Sequence, residues 1–123
     1  MISGFVTDLH AIVRIIFLLP NGSRFPIEFV LDTGFTGDLC LPEEAVKLIG
    51  IPFLYNLPAR LADNSSRLLP LYKANVLWND KERIAHVLAT GERPLLGTGM
   101  LASHELIIQF AEGGLVTIDT MQG

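Results

Sequence analysis

Short apolar runs rich in Val, Ile, Leu and Phe, broken by turn residues at close intervals, govern what this 123-residue chain can fold into. That punctuation leaves little room for long helices and reads as an all-β chain. The first run extends to Leu19. Pro20-Asn21-Gly22-Ser23 follows, and Asn-Gly is a strong hairpin signal because both residues tolerate positive φ. The chain returns through Phe25, Ile27, Phe29 and Leu31, with Arg24 and Glu28 on the opposite phase. That is the period-2 pattern of a strand with one buried face.

Asp32 to Gly37 then reads as a loop, because Gly34 and Gly37, three apart, favour unusual backbone angles. Leu39-Cys40-Leu41 is a short strand. Pro42 to Ile49 is a short helix: Pro42 suits its first turn, Glu43 and Glu44 favour its positive end, and Gly50 with Pro52 stops it. Two strands flank the polar turn Asp63-Asn64-Ser65-Ser66, and a further hairpin turns at Asn79 to Glu82. Leu95-Leu96-Gly97 leads into one or two helical turns between Thr98 and Glu105, with Thr98 as the cap. Leu106–Phe110 and Leu115–Ile118 are two final strands joined across Gly113-Gly114.

The length suits one domain, residues 1–123, and is too short for two. Half of the residues are hydrophobic and only 18% are charged, below the usual quarter or so. A small domain this apolar points to a surface hidden in a partner subunit. Net charge is -4 and no Lys/Arg cluster occurs, which argues against a nucleic-acid partner. The longest apolar stretch, Ala11 to Leu19, is interrupted by Arg14 and is far short of a membrane span, so no membrane association is expected. The N-terminus lacks the basic region of a signal peptide. A single cysteine, Cys40, permits no internal disulfide. These features together favour a cytoplasmic protein.

The chemistry concentrates in Phe29-Val30-Leu31-Asp32-Thr33-Gly34. An apolar strand delivers a carboxylate straight into a glycine loop. Desolvation at a strand end raises the pKa of such an acid, and a following glycine lets backbone N–H groups approach it. The tripeptide alone is a weak signal. It gains weight from Phe35-Thr36-Gly37, which continues the loop, and from the apolar-apolar-Gly element Leu95-Leu96-Gly97 about sixty residues on.

On these residues the chain resembles the retropepsin-like aspartic peptidases, and most closely their small bacterial and archaeal members. Asp32 to Pro42 resembles the active-site segment. Leu61-Ala62-Asp63-Asn64-Ser65 resembles the turn of the flap hairpin. Leu95-Leu96-Gly97 with Met100-Leu101 resembles the apolar-Gly strand and the helix after it. The resemblance implies an all-β closed barrel with one or two short helices, forming half of a homodimeric enzyme. Two-lobed relatives carry the motif twice; here Asp119-Thr120 is followed by Met121, so only one copy exists. One Asp-Thr-Gly per chain implies a C2 homodimer with its axis between two Asp32 residues.

The resemblance further implies an endopeptidase using a water activated by two Asp32 carboxylates, with no metal and no cofactor. Thr33 would bond across the axis, and Gly34 would offer backbone donors. Phe35, Ala62, Asp63, Asn64 and Ser65 would meet a peptide or protein substrate under the flap. Three departures stand out. Phe35 replaces the small residue of many viral relatives. The flap turn lacks their glycines. Thr98-Gly99 stands where they carry an interfacial Arg.

Simpler readings compete at individual positions. Asp38 reads as a turn residue, Cys40 as a small core residue and Trp78 as packing. His10, His86 and His104 are too scattered to suggest a metal site. A dimeric peptide-binding module that does not cleave is the alternative function. A purely structural domain is a third.

Overall fold

The computed structural model describes residues 1–60 and 63–121. Among them ten strands and two short helices follow in chain order. They are β1 (Ile2–Thr7), β2 (His10–Leu18), β3 (Arg24–Leu31), β4 (Leu39–Leu41), α1 (Glu43–Ile49), β5 (Phe53–Arg60), β6 (Ser66–Trp78), β7 (Lys81–Ala89), β8 (Leu95–Leu96), α2 (Thr98–Leu101), β9 (His104–Ile108) and β10 (Leu115–Thr120).

The strands form one sheet in the order β5-β6-β7-β4-β8-β3-β2-β1-β10-β9. The sheet curls until β6 meets β2, pairing Ile16 with Leu77 and Leu18 with Asn75. The ring takes in β6, β7, β4, β8, β3 and β2. Strand β5 lies outside it at one end and β1, β10 and β9 at the other. The sheet is thus partly ringed, not a full barrel.

Alternation along β2 explains the core. Ala11, Val13, Ile15 and Phe17 point inward and are buried, as period 2 demands. Phe17 stacks on Phe29 of β3 with ring centroids 5.9 Å apart. Burial of each ring contributes about 1.5–3 kcal/mol. Phe25 shares that face but lies beside the β2–β3 turn, where it is exposed. Leu39, Leu41, Leu96 and Met100 fill the core beneath the loop that follows β3.

The local signals succeed and fail for identifiable reasons. Asn79 and Asp80 turn the β6–β7 hairpin in two residues, both with positive φ, because short polar side chains tolerate that region. Pro42 and Gly50 bound α1, and Gly50 takes the left-handed cap. The first apolar run is not one strand. It folds back at Asp8-Leu9, both with positive φ, so that Thr7 faces His10. Leu9 gives no turn signal. Gly97, not Thr98, is the residue before α2, and no side chain caps it. The penultimate strand begins at His104 rather than Leu106.

Candidate active site

Asp32 sits one residue beyond β3, which runs parallel to β8 through Val30 against Leu95 and Leu31 against Leu96. Its backbone N–H donates to Leu96 O at 2.9 Å. The carboxylate Oδ1 accepts the Gly34 N–H at 2.9 Å. Phe35 N–H returns to Asp32 O at 3.1 Å and closes the turn. The acid is half-buried while Thr33 and Gly34 are exposed. One carboxylate therefore stands at the surface on a backbone fixed from both sides.

The loop is strapped to the α2 segment. Gly97 N–H donates to Asp38 O at 2.8 Å, Thr98 N–H to Phe35 O at 2.8 Å, and Gly99 N–H to Gly37 O at 3.0 Å. Gly34 and Gly37 do not have positive φ, contrary to the expectation of unusual backbone angles; close approach is what Gly97 and Gly99 serve. A Cβ on Gly97 would lie 2.2 Å from Gly37 O, and one on Gly99 would lie 2.5 Å from Asp38 Oδ1. Asp38 does more than turn the chain: its Oδ2 accepts the His86 N–H of β7 at 3.0 Å. Cys40 is buried with its Sγ 3.1 Å from Thr90 O. Burial pushes its thiol pKa up, and the nearby Asp32 charge adds to that, so it is a core residue rather than a nucleophile.

Strands β5 and β6 form the candidate flap hairpin, closing at Arg60 against Ser66. Leu61 and Ala62, both assigned to its turn from sequence, lie outside the described residues. At Asp63 the side chain accepts the Ser65 N–H at 3.0 Å and the Ser65 hydroxyl, an Asx turn. Asn64 carries a φ of 68°, so it replaces a glycine at the tip at small cost. The Ser65 hydroxyl, then its N–H, lowers the Asp63 pKa. A lowered pKa means the turn's contribution is complete above the ordinary carboxylate pKa and is lost as pH falls through the lower folded value. The protection factor of the Ser65 amide should stay constant from neutrality to about pH 5. It should fall only below about pH 3.9, the ordinary Asp value.

Between this hairpin and the Asp32 loop lies a cavity of about 320 Å³. Phe35, Leu39, Tyr55, Leu57, Leu71 and Leu88 give it apolar walls, and Asp38 and His86 add polar groups. Phe35 and strands β5 and β6 thus meet at one cavity, whereas Asp63, Asn64 and Ser65 do not line it. Tyr55, Leu57, Leu71 and Leu88 carried no local signal. Only the folding of β5–β7 over the loop brings them there. On the other side of the loop, Thr33 borders a second cavity of about 280 Å³ lined by Leu9, Leu31, Leu106, Ile108 and Phe110. Among the described residues, no group of three His, Cys, Asp or Glu could hold a metal, and no helix is long and apolar enough to cross a membrane.

Ring, loop strap and flap-like hairpin define a retropepsin-like fold. The crystal structure of a retropepsin-like aspartic protease from Rickettsia conorii superposes with a TM-score of 0.56 at 19% identity, over 97% of this chain and 90% of that one. The solution structure of simian foamy virus (mac) protease gives a TM-score of 0.51 at 16% identity, over 72% of this chain and 89% of that one. At such identities the likeness is one of fold. No protein-family model and no curated protein matches the chain.

Proposed function

We propose that the protein is a homodimeric aspartic endopeptidase in which each chain supplies one Asp32. The observation that carries this reading is the placement of Asp32. It is a single half-buried carboxylate that accepts the Gly34 N–H, on a backbone held by the Asp32 N–H to Leu96 O bond, three residues before Phe35 enters the cavity under the β5–β6 hairpin, on a retropepsin-like fold. Two such acids brought together by a two-fold axis cannot both ionise easily, so they share one proton. The ionised member takes a proton from a water between them while the other donates to the scissile carbonyl oxygen. The pair titrates as a unit. No covalent intermediate forms. Thr33 locks the two loops across the axis and Gly34 leaves room for substrate. An extended peptide lies under the hairpin around Asp63, Asn64 and Ser65, with a side chain in the Phe35 cavity.

The partner is a second copy, and the cavity beside Thr33 supports that reading. Leu9 and Phe110 stand at it 82% and 62% exposed. Glu112 holds this rim in place by accepting the Thr7 hydroxyl and the Asp8 N–H, each at 2.9 Å. A two-fold axis at Asp32 would cover these side chains. Changing Leu9→Glu should weaken the dimer about 100-fold or more, since symmetry places the buried charge twice. Sedimentation would read the shift, and the circular dichroism of the monomer should not change.

Digestion of a mixed peptide library tests the activity. Wild type should cut internal bonds, and a statine-type transition-state mimic should block it. Peptide binding without product at any pH between about 3 and 7 would instead favour a non-cleaving module.

A further inference from the structure

On the far side of α2 from the Asp32 loop, Trp78, Arg83 and His104 form a cluster that the proposed reaction does not use. Indole Nε1–H of Trp78 lies 3.0 Å from His104 Nε2. An indole nitrogen can only donate, so Nε2 must be the acceptor. His104 Nδ1 lies 2.8 Å from Ala102 O, and a carbonyl oxygen can only accept. The two contacts leave a single consistent form: a neutral imidazole with its proton on Nδ1. An imidazolium would aim a second N–H at the indole N–H across the same 3.0 Å.

The cluster connects to the catalytic loop by short steps. The indole and imidazole rings meet edge to face at 5.5 Å. The Arg83 guanidinium lies over the Trp78 ring, 5.4 Å from its centroid, and donates to Gly99 O at 3.1 Å and Met100 O at 3.3 Å. Gly99 and Gly97 hold the loop through Gly37 O and Asp38 O. His104 itself begins β9, three residues after α2 ends. Charged groups around the adjoining cavity are Lys81, Glu82 and Arg83 of β7, Asp119 of β10 and the N-terminal amine. Glu105 follows on β9 and pairs with Asp119.

We propose that neutral His104 is a positioning residue: through Trp78 and Arg83 it seats α2 against the Asp32 loop, and its protonation releases that seat. The catalytic half of the proposal rests on the peptidase reading, whereas the latch itself does not. Trp78 is the protein's single tryptophan, so indole emission reports directly on the contact, and a protonated imidazole quenches indole emission.

The test compares wild type with His104→Gln, whose amide oxygen accepts from Trp78 at every pH, and with His104→Ala. Wild type should show a reversible one-proton quench as the pH falls. The Gln variant should show none. The protection factors of the Gly97 and Gly99 amides, measured against their intrinsic rates at each pH, should fall about fivefold with the quench, the effect of losing about one net hydrogen bond. They should stay high in the Gln variant and be low at all pH values in the Ala variant. For cleavage, kcat of wild type relative to His104→Gln should fall about fivefold through the same transition, with KM unchanged. An identical quench in His104→Gln, or no quench in wild type, overturns the latch. A quench that kcat ignores overturns the positioning role. A protein that cuts nothing at any pH overturns the peptidase reading, and emission and exchange still decide the latch.

Discussion

Replacing Asp32 by Asn should lower peptide cleavage by about 10³-fold or more, because it removes the proton-transfer group, while leaving the fold and dimer intact. The change is nearly isosteric. An amide oxygen can still accept the Gly34 N–H, and the bond from residue 32 to Leu96 O is backbone to backbone. What disappears is the ability to hold and pass a proton. Mixing tests the proposed symmetry. Equal amounts of wild type and Asp32→Asn, allowed to exchange subunits, leave only about a quarter of the dimers with two acids. Activity per wild-type chain should then halve. Unchanged activity would mean that each chain works alone, and the shared-proton mechanism would have to be given up.

Gly97→Ala should do comparable damage by a different route. Its new methyl would meet Gly37 O at 2.2 Å and Phe35 O at 2.6 Å. Both are backbone atoms and cannot rotate aside. Either the loop or β8 must shift, which strains the Gly97–Asp38 and Thr98–Phe35 bonds. Overpacking of this kind costs about 1–3 kcal/mol. A displacement approaching 1 Å at Asp32 should cost a further factor of about 100 in kcat. Gly22→Ala is the control. Gly22 has a φ of 86° but no atom within 4 Å of a built Cβ, so it should lose about 1–2 kcal/mol of stability and no activity. Thermal melts and kcat together separate the two cases. Equal effects on kcat would show that the strap does not position the acid.

The two glycines show how far a sequence can be read. Gly22 follows Asn21 in a turn, and its need for positive φ is a local property visible in the dipeptide. Gly97 has ordinary dihedral angles. Its lack of a side chain matters only because the loop after β3 passes close by, more than fifty residues away in sequence. Family resemblance placed Gly97, but the contact that demands it was not legible. Thr98 misled for a similar reason: it looks like a cap, yet its hydroxyl lies 3.4 Å from Phe35 O across the strap.

Local chemistry by itself determined the strand content, the ends of α1, the turns at Asn21-Gly22 and Asn79-Asp80, and the delivery of one acid from an apolar strand into a glycine loop. Each of these depends on dihedral preference or on alternation within a few residues. Tertiary structure alone decided the rest: the closure of β6 on β2, the cavity between Phe35 and the β5–β6 hairpin, the turn at Asp8-Leu9 with its exposed leucine, and the bond from Trp78 to His104. Those depend on which distant backbones come within a few ångströms of one another. The packing of the whole core sets that separation, and no short stretch of residues encodes it.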